Sequence, residues 1–207
     1  MRSWELIDVM YDMKVSKRVY SRVFCVVVVL LMTVTCSSCG ESVSSDSSMT
    51  QSLIDSYMNS FCDYNISGMN KCCMANRDPY GDSEAAVKAC RSLAQRIKWE
   101  KLNISIDGNS AIAQIRILFP EDMEEICRLA LNDTIKALDS GSDDNCSELL
   151  VSMIKKRAVK AKKQELSVEI HMTKVDNKWY IVKSLGVNRI LSEIRTSVAA
   201  VYSMIEE

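Results

Sequence analysis

Two thiols, Cys36 and Cys39, follow directly on the apolar run at residues 23–34, where a sulfur nucleophile could take up a lipid through a thioether. His171 is the one histidine of the 207-residue chain, and an imidazole can act as a general base near neutral pH. No partner accompanies it at a spacing that specifies a catalytic set, so catalysis by His171 stands as an alternative to a surface or hydrogen-bonded strand histidine. Trp179 and Tyr180 are adjacent aromatics that could line a ligand pocket with His171. Core packing of Trp179 and partial burial of Tyr180 explain the same pair without a ligand. Lys155, Lys156, Arg157, Lys160, Lys162 and Lys163 place six bases in nine residues. Such a field could attract anionic headgroups or wall-polymer phosphates. It also falls near an expected helix C-terminus, where positive charge is favourable on its own account.

Metal and cofactor chemistry are not expected. Nine cysteines are many, but Cys72 and Cys73 are adjacent, no CxxC lies beyond Cys36, and a single histidine is present; a structural zinc site needs more ligands at better spacing. Asp63, Asp78 and Asp82 flank flexible stretches without the spacing of a metal loop and read as turn caps. If Cys39 becomes a lipidated first residue, Cys62, Cys72, Cys73, Cys90, Cys127 and Cys146 remain. That even number permits three disulfides, while small buried thiols explain the same residues in the core.

The apolar run is preceded by Arg18 and Arg22 and has 12 residues, short of the roughly 20 that span a bilayer as a helix. Charge, apolar core and small residues in that order predict export. Lys14, Lys17, Arg18 and Arg22 form an acid-free basic segment behind Met13, so translation starting at Met13 or Met10 is an alternative to Met1. Lipoprotein cleavage, ordinary signal cleavage and an uncleaved short anchor are the three fates. The region resembles a bacterial lipoprotein signal, in which a branched residue and two small residues precede the lipidated cysteine. Cys36, Ser37 and Ser38 stand before Cys39, and Thr33, Val34 and Thr35 before Cys36. The expected organisation is a signal peptide or short membrane anchor at 1–39, a polar linker at 40–48 (GESVSSDSS) and one domain at 49–207. The expected location is the extracytoplasmic face of the membrane, lipid-anchored, with a secreted form or a single-pass signal anchor as alternatives.

From Cys39 onward 21 basic and 24 acidic residues give a net charge of −3. That balance, with export, excludes nucleic acid as an expected partner. The membrane, through lipid or N-terminal anchor, and a cell-envelope component or small ligand are the expected ones.

The elements that must position these residues follow from periodicity. Apolar residues recur at three and four through 49–62, with Ser48 as cap, and through 83–98, with Asp82 as cap. A short helix is expected over 66–75. Leu102, Ile104 and Ile106 alternate with polar residues, turn at Asp107–Gly108, and return through Ala111, Ala113, Ile115 and Ile117 as a hairpin. Pro120 is expected to open a helix whose first turn is acidic, and a further helix covers 147–163. Leu166, Val168, Ile170 and Met172 begin a second hairpin, turning at Asp176–Asn177. Its return strand is apolar on both faces, which predicts a central position. A last helix covers 187–205.

The segment Lys174, Val175, Asp176, Asn177, Lys178, Trp179, Tyr180 and Ile181, within this order of elements, is similar to the NTF2-like (cystatin-like) superfamily. In particular it resembles small extracytoplasmic lipoproteins of Gram-positive gut bacteria, mostly of families with unknown function. The resemblance implies an α+β fold, with helices packed on a curved, mainly antiparallel sheet built from two hairpins, and a concave binding cavity. A generic α+β domain is the alternative. The function expected is a non-enzymatic, membrane-tethered domain binding a small ligand or envelope component. A structural or oligomerising domain without a pocket, and a weak enzyme using His171, are the alternatives.

Overall fold

The computed structural model describes residues 40–75 and 83–205. The chain forms two compact units, Met1–Asp46 and Ser47–Glu207, and the second holds a mixed α+β fold. Its helices pack against a curved, open, four-stranded antiparallel sheet, consistent with an NTF2-like arrangement.

Helix α1 (Gly40–Cys62) buries Ile54, Tyr57, Met58 and Phe61 along one stripe. The serine-rich stretch 40–48, expected as a flexible tether, is the first part of this helix instead. It contains no proline, and each residue added to a nucleated helix gains a backbone hydrogen bond. Just beyond it, Thr50 Oγ1 donates back to the Ser47 carbonyl at 3.0 Å.

Helix α2 (Ile66–Cys72) is capped by Asn65, whose Oδ1 accepts from Gly68 N at 2.9 Å. Helix α3 (Glu84–Ala94) is capped by Ser83, whose Oγ accepts from Ala86 N at 3.2 Å. The expected caps Asp78 and Asp82 lie outside the described residues.

Strands β1 (Lys98–Asp107), β2 (Ser110–Pro120), β3 (Lys163–Val175) and β4 (Lys178–Lys183) lie side by side in chain order, all antiparallel. Alternation sends Ala111, Ala113, Ile115 and Ile117 of β2 and Val168, Ile170 and Met172 of β3 into the core. Asp176 and Asn177 both take positive φ, 48° and 61°, the geometry of a tight hairpin turn that matches strand twist.

Three expectations change at the sheet. Leu102 does not share the core face with Ile104. The register shifts between Lys101 and Asn103, and Leu102 is a bulge residue, 45% exposed. Pro120 ends β2 opposite Lys163 rather than opening a helix; a strand end tolerates its missing N–H. Helix α4 (Met123–Asp139) begins after Asp122, whose Oδ1 accepts from Glu125 N at 3.1 Å. Finally, β4 is an edge strand, not a central one. Trp179 and Ile181 fill the core, while Tyr180 and Val182 face outward without a covering layer.

Helices α4 and α5 (Cys146–Lys160) form the connection between β2 and β3 and pack on each other. Helix α5 also packs on α3, and α6 (Leu185–Ser203) on α3, α4 and β3. Asn145 caps α5 by accepting from Ser147 N and Glu148 N at 3.0 and 3.3 Å. The expected start of this helix thus shifts by one residue, and its end retreats to Lys160 because β3 already begins at Lys163.

Candidate functional site

The strand pairing at the end of the second hairpin determines what surrounds His171. From Val175↔Lys178 to Met172↔Ile181 the register is regular; it then slips, and His171 pairs with Lys183. The extra residue is Val182, 52% exposed. One inserted residue turns every later side chain to the other face. Lys183 therefore stands beside His171 on the outer face instead of pointing into the core.

Strand β4 stops at Lys183. Residues 163–170 of β3 thus pair with β2 on one side and have no strand on the other. The first turn of α6 lies against this stretch. Gly186 permits the approach, since a Cβ there would collide with Val168 Cγ1. Ser184, the N-cap of α6, makes no side-chain cap bond. Its Oγ is engaged with Tyr57 Oη at 2.6 Å and donates to Asn188 Oδ1 at 3.3 Å.

Between the β3 edge, the end of β4 and the first turns of α6 runs an open groove of about 360 Å³, lined among others by His171, Glu169, Lys183, Arg189, Leu166 and Leu185. His171 Nε2 lies 3.5 Å from Glu169 Oε2. Two cations, one carboxylate, an imidazole and an apolar wall converge there. This set can hold a small polar ligand, with charge to spare for an anion. Ser167 also lines the groove, but it is four residues from His171 along the strand, roughly 13 Å, too far for a direct hydrogen bond. A second groove of about 410 Å³ opens on the other side of the β4 end, where Met74 N donates to Ile181 O at 3.2 Å.

The three pocket candidates from the sequence separate. His171 lines the first groove. Trp179 is on the core face, 3% exposed, with Lys174 Nζ 6.0 Å from its ring centroid. Tyr180 shares the outer face with His171 but is not among the lining side chains; Lys178 Nζ sits 5.2 Å from its ring. Lys183 and Arg189 were missed. The sole sequence signal for Lys183 is its place at a hairpin end, and Arg189 is one of two arginines on the polar side of an amphipathic helix.

The basic segment is not one free surface. Lys155, Lys156, Lys160, Lys162 and Lys163 are exposed. Arg157 is half-buried, with Nε and Nη2 each 2.6 Å from Asp133 Oδ2. Lys163 Nζ donates to the Arg96 carbonyl at 3.0 Å. Arg157, Lys160 and Lys162 border a recess that also carries Glu121, Asp122 and Glu125, which offset part of the positive field.

Cys36 and Cys39 lie outside the described residues. Cys62, Cys72, Cys73, Cys90, Cys127 and Cys146 are thiols, not disulfides. Burial pushes the Cys127 thiol up to about 12, with Cys90 adding to the shift, and the Cys62 thiol to about 11, with Asp63 adding. Burial also raises Cys72. Thiols so held stay protonated near neutral pH and are poor nucleophiles. Among the described residues no group of three or more His, Cys, Asp or Glu is placed to hold a metal ion. No helix among them is long and apolar enough to cross a membrane.

No protein-family model matches the chain, and no curated protein matches it. Among solved structures it is similar to a variant of Rv3472, a function-unknown protein from Mycobacterium tuberculosis. The TM-score is 0.33 and the identity 11%, over 79% of this chain and 90% of that one.

Proposed function

We propose that this chain is a membrane-tethered extracytoplasmic domain without a catalytic role, which binds a small ligand or envelope component in the groove beside His171. The observation that carries the reading is the convergence of Lys183, Arg189, Glu169 and His171 on one open cavity. The tether rests on the sequence order of Arg18 and Arg22, the apolar run and then Cys36 and Cys39. The resemblance of residues 174–181 to NTF2-like lipoproteins agrees with that placement. Nucleic acid is no partner in this reading, since the chain beyond Cys39 carries a net charge of −3.

A second reading is favoured by one distance. Glu169 Oε2 at 3.5 Å from His171 Nε2 is the imidazole–carboxylate pairing that a general base uses. On this reading the groove holds a substrate and His171 moves its proton.

Intact mass spectrometry of the detergent-extracted protein tests both the tether and the site. Expected are a mature chain that begins at Cys39 or Cys36 and carries diacylglycerol, and a small molecule released on denaturation. An unmodified chain retaining the apolar run sinks lipidation. A released molecule recovered unchanged after incubation with the native protein supports binding; its conversion by wild type but not by His171→Ala supports the enzyme.

A further inference from the structure

We infer that the groove beside His171 takes the carboxylate end of an extended peptide; the inference rests on that groove being the binding site. Three features of the groove each select one part of such a ligand.

The first is charge. Lys183 and Arg189 face one carboxylate, Glu169, across the same cavity. Lys183 and Arg189 outnumber Glu169, so these three side chains leave one positive charge in excess, which a single carboxylate balances. Arg and Lys together suit it, because guanidinium and ammonium groups give short charge-assisted hydrogen bonds to carboxylate oxygens.

The second is the uncovered strand. Along residues 163–170 of β3, the N–H and C=O groups that point away from β2 meet no strand. An extended peptide supplies the matching amides, one strand spacing away. A simple acid such as acetate leaves them to water. Charge also fixes the direction. Lys183 stands at the end of the open stretch nearer His171. A carboxylate placed there requires the peptide to run parallel to β3, its preceding residues lying along 166–169.

The third is the apolar wall. Leu166 and Leu185 border the cavity, and Leu185 is well exposed. A last or penultimate apolar side chain of the ligand covers them. A groove of about 360 Å³ has room for the last two or three residues of such a peptide.

Calorimetric titration of the full chain in detergent micelles tests the assignment. The probe is the acetylated tripeptide Ala-Val-Leu with a free carboxyl terminus, beside the same tripeptide amidated and beside acetate. The free acid should bind, and the amide about ten-fold more weakly, the scale of one charge-assisted contact. Acetate should bind more weakly than either peptide. The Lys183→Ala, Arg189→Ala double variant should bring the acid down to the affinity of the amide. Lys155→Ala, on a distant exposed base, should change nothing. Both groove residues are exposed, so an unchanged thermal unfolding curve confirms that the double variant folds. Equal binding of acid and amide overturns the carboxylate assignment and leaves a ligand groove in place. Binding of acetate as tight as that of the acid removes the strand-addition element. Absence of binding by every probe overturns the inference, and the identity of the co-purifying molecule then judges the groove itself.

Discussion

Tyr57 and Ser184, 127 positions apart, share a buried hydrogen bond of 2.6 Å. Ser184 donates onward to Asn188 Oδ1, so Tyr57 is the donor to Ser184. The bond ties α1 to the residue at which β4 gives way to α6, at the head of the groove. Tyr57→Phe keeps the ring and removes the donor. Urea unfolding should show a loss of roughly 1–2 kcal/mol. No loss would mean that water replaces the phenol without cost.

Trp179 is a core residue flanked by Met172 and Ile181 at the sheet edge. Trp179→Ala should leave a void that the neighbours fill only in part, at a cost of roughly 3–5 kcal/mol. A loss below about 1 kcal/mol in equilibrium urea unfolding would contradict the anchoring role.

Stability should fall at alkaline pH for a defined reason. Burial holds the Cys127 thiol at about 12 and the Cys62 thiol at about 11 against 9.0 for the free group, and the Tyr202 phenol at about 12 against 10.0. Each folded value lies above the unfolded one, so the native state holds these protons more tightly. The contribution is whole below the unfolded values and is lost as pH climbs from about 9 toward 12. Urea midpoints measured from pH 8 to 11 should decline, and Cys127→Ala should decline less steeply. Parallel decline of variant and wild type would assign the effect to other groups.

The exposed part of the basic segment contributes little to folding. Replacing Lys155, Lys156, Lys160 and Lys162 by glutamine should leave the urea midpoint nearly unchanged. Arg157 is left in place because it is paired with Asp133. If these lysines touch anionic membrane, the variant should sediment less with anionic vesicles. The wild-type binding should also weaken between low and physiological salt, where the screening length is about 8 Å. Negligible sedimentation of both proteins at both salts would leave a solvated helix end.

Periodicity alone carried the hairpins and most helix faces. Ile115, Ile117, Ile170 and Met172 are buried as their alternation requires, because each strand has one face on the core and one in water. What alternation cannot carry is an insertion. Leu102 and Val182 each add a residue to a strand, and no local preference marks either place. The slip at Val182 is why Lys183 was invisible as a neighbour of His171. Pro120 misled for a related reason. Proline suits both the start of a helix and the end of a strand, and the pairing with Lys163 that decides between them lies across two intervening helices. The separation of Trp179 from His171 follows from strand alternation, yet the two were grouped in one pocket on sequence alone; the open edge of β3 depends on where β4 stops, which no local pattern marks.

Both outer strands of the sheet are interrupted: β1 at Leu102 and β4 at Val182. A regular, straight outer strand is a template on which copies of a chain can polymerise edge to edge, and a bulge spoils the template by twisting the ladder out of line. Each interruption leaves one large apolar side chain exposed. That irregularity is a safeguard against edge-to-edge aggregation of copies of this chain. Straightening either strand by deleting Leu102 or Val182 would remove it.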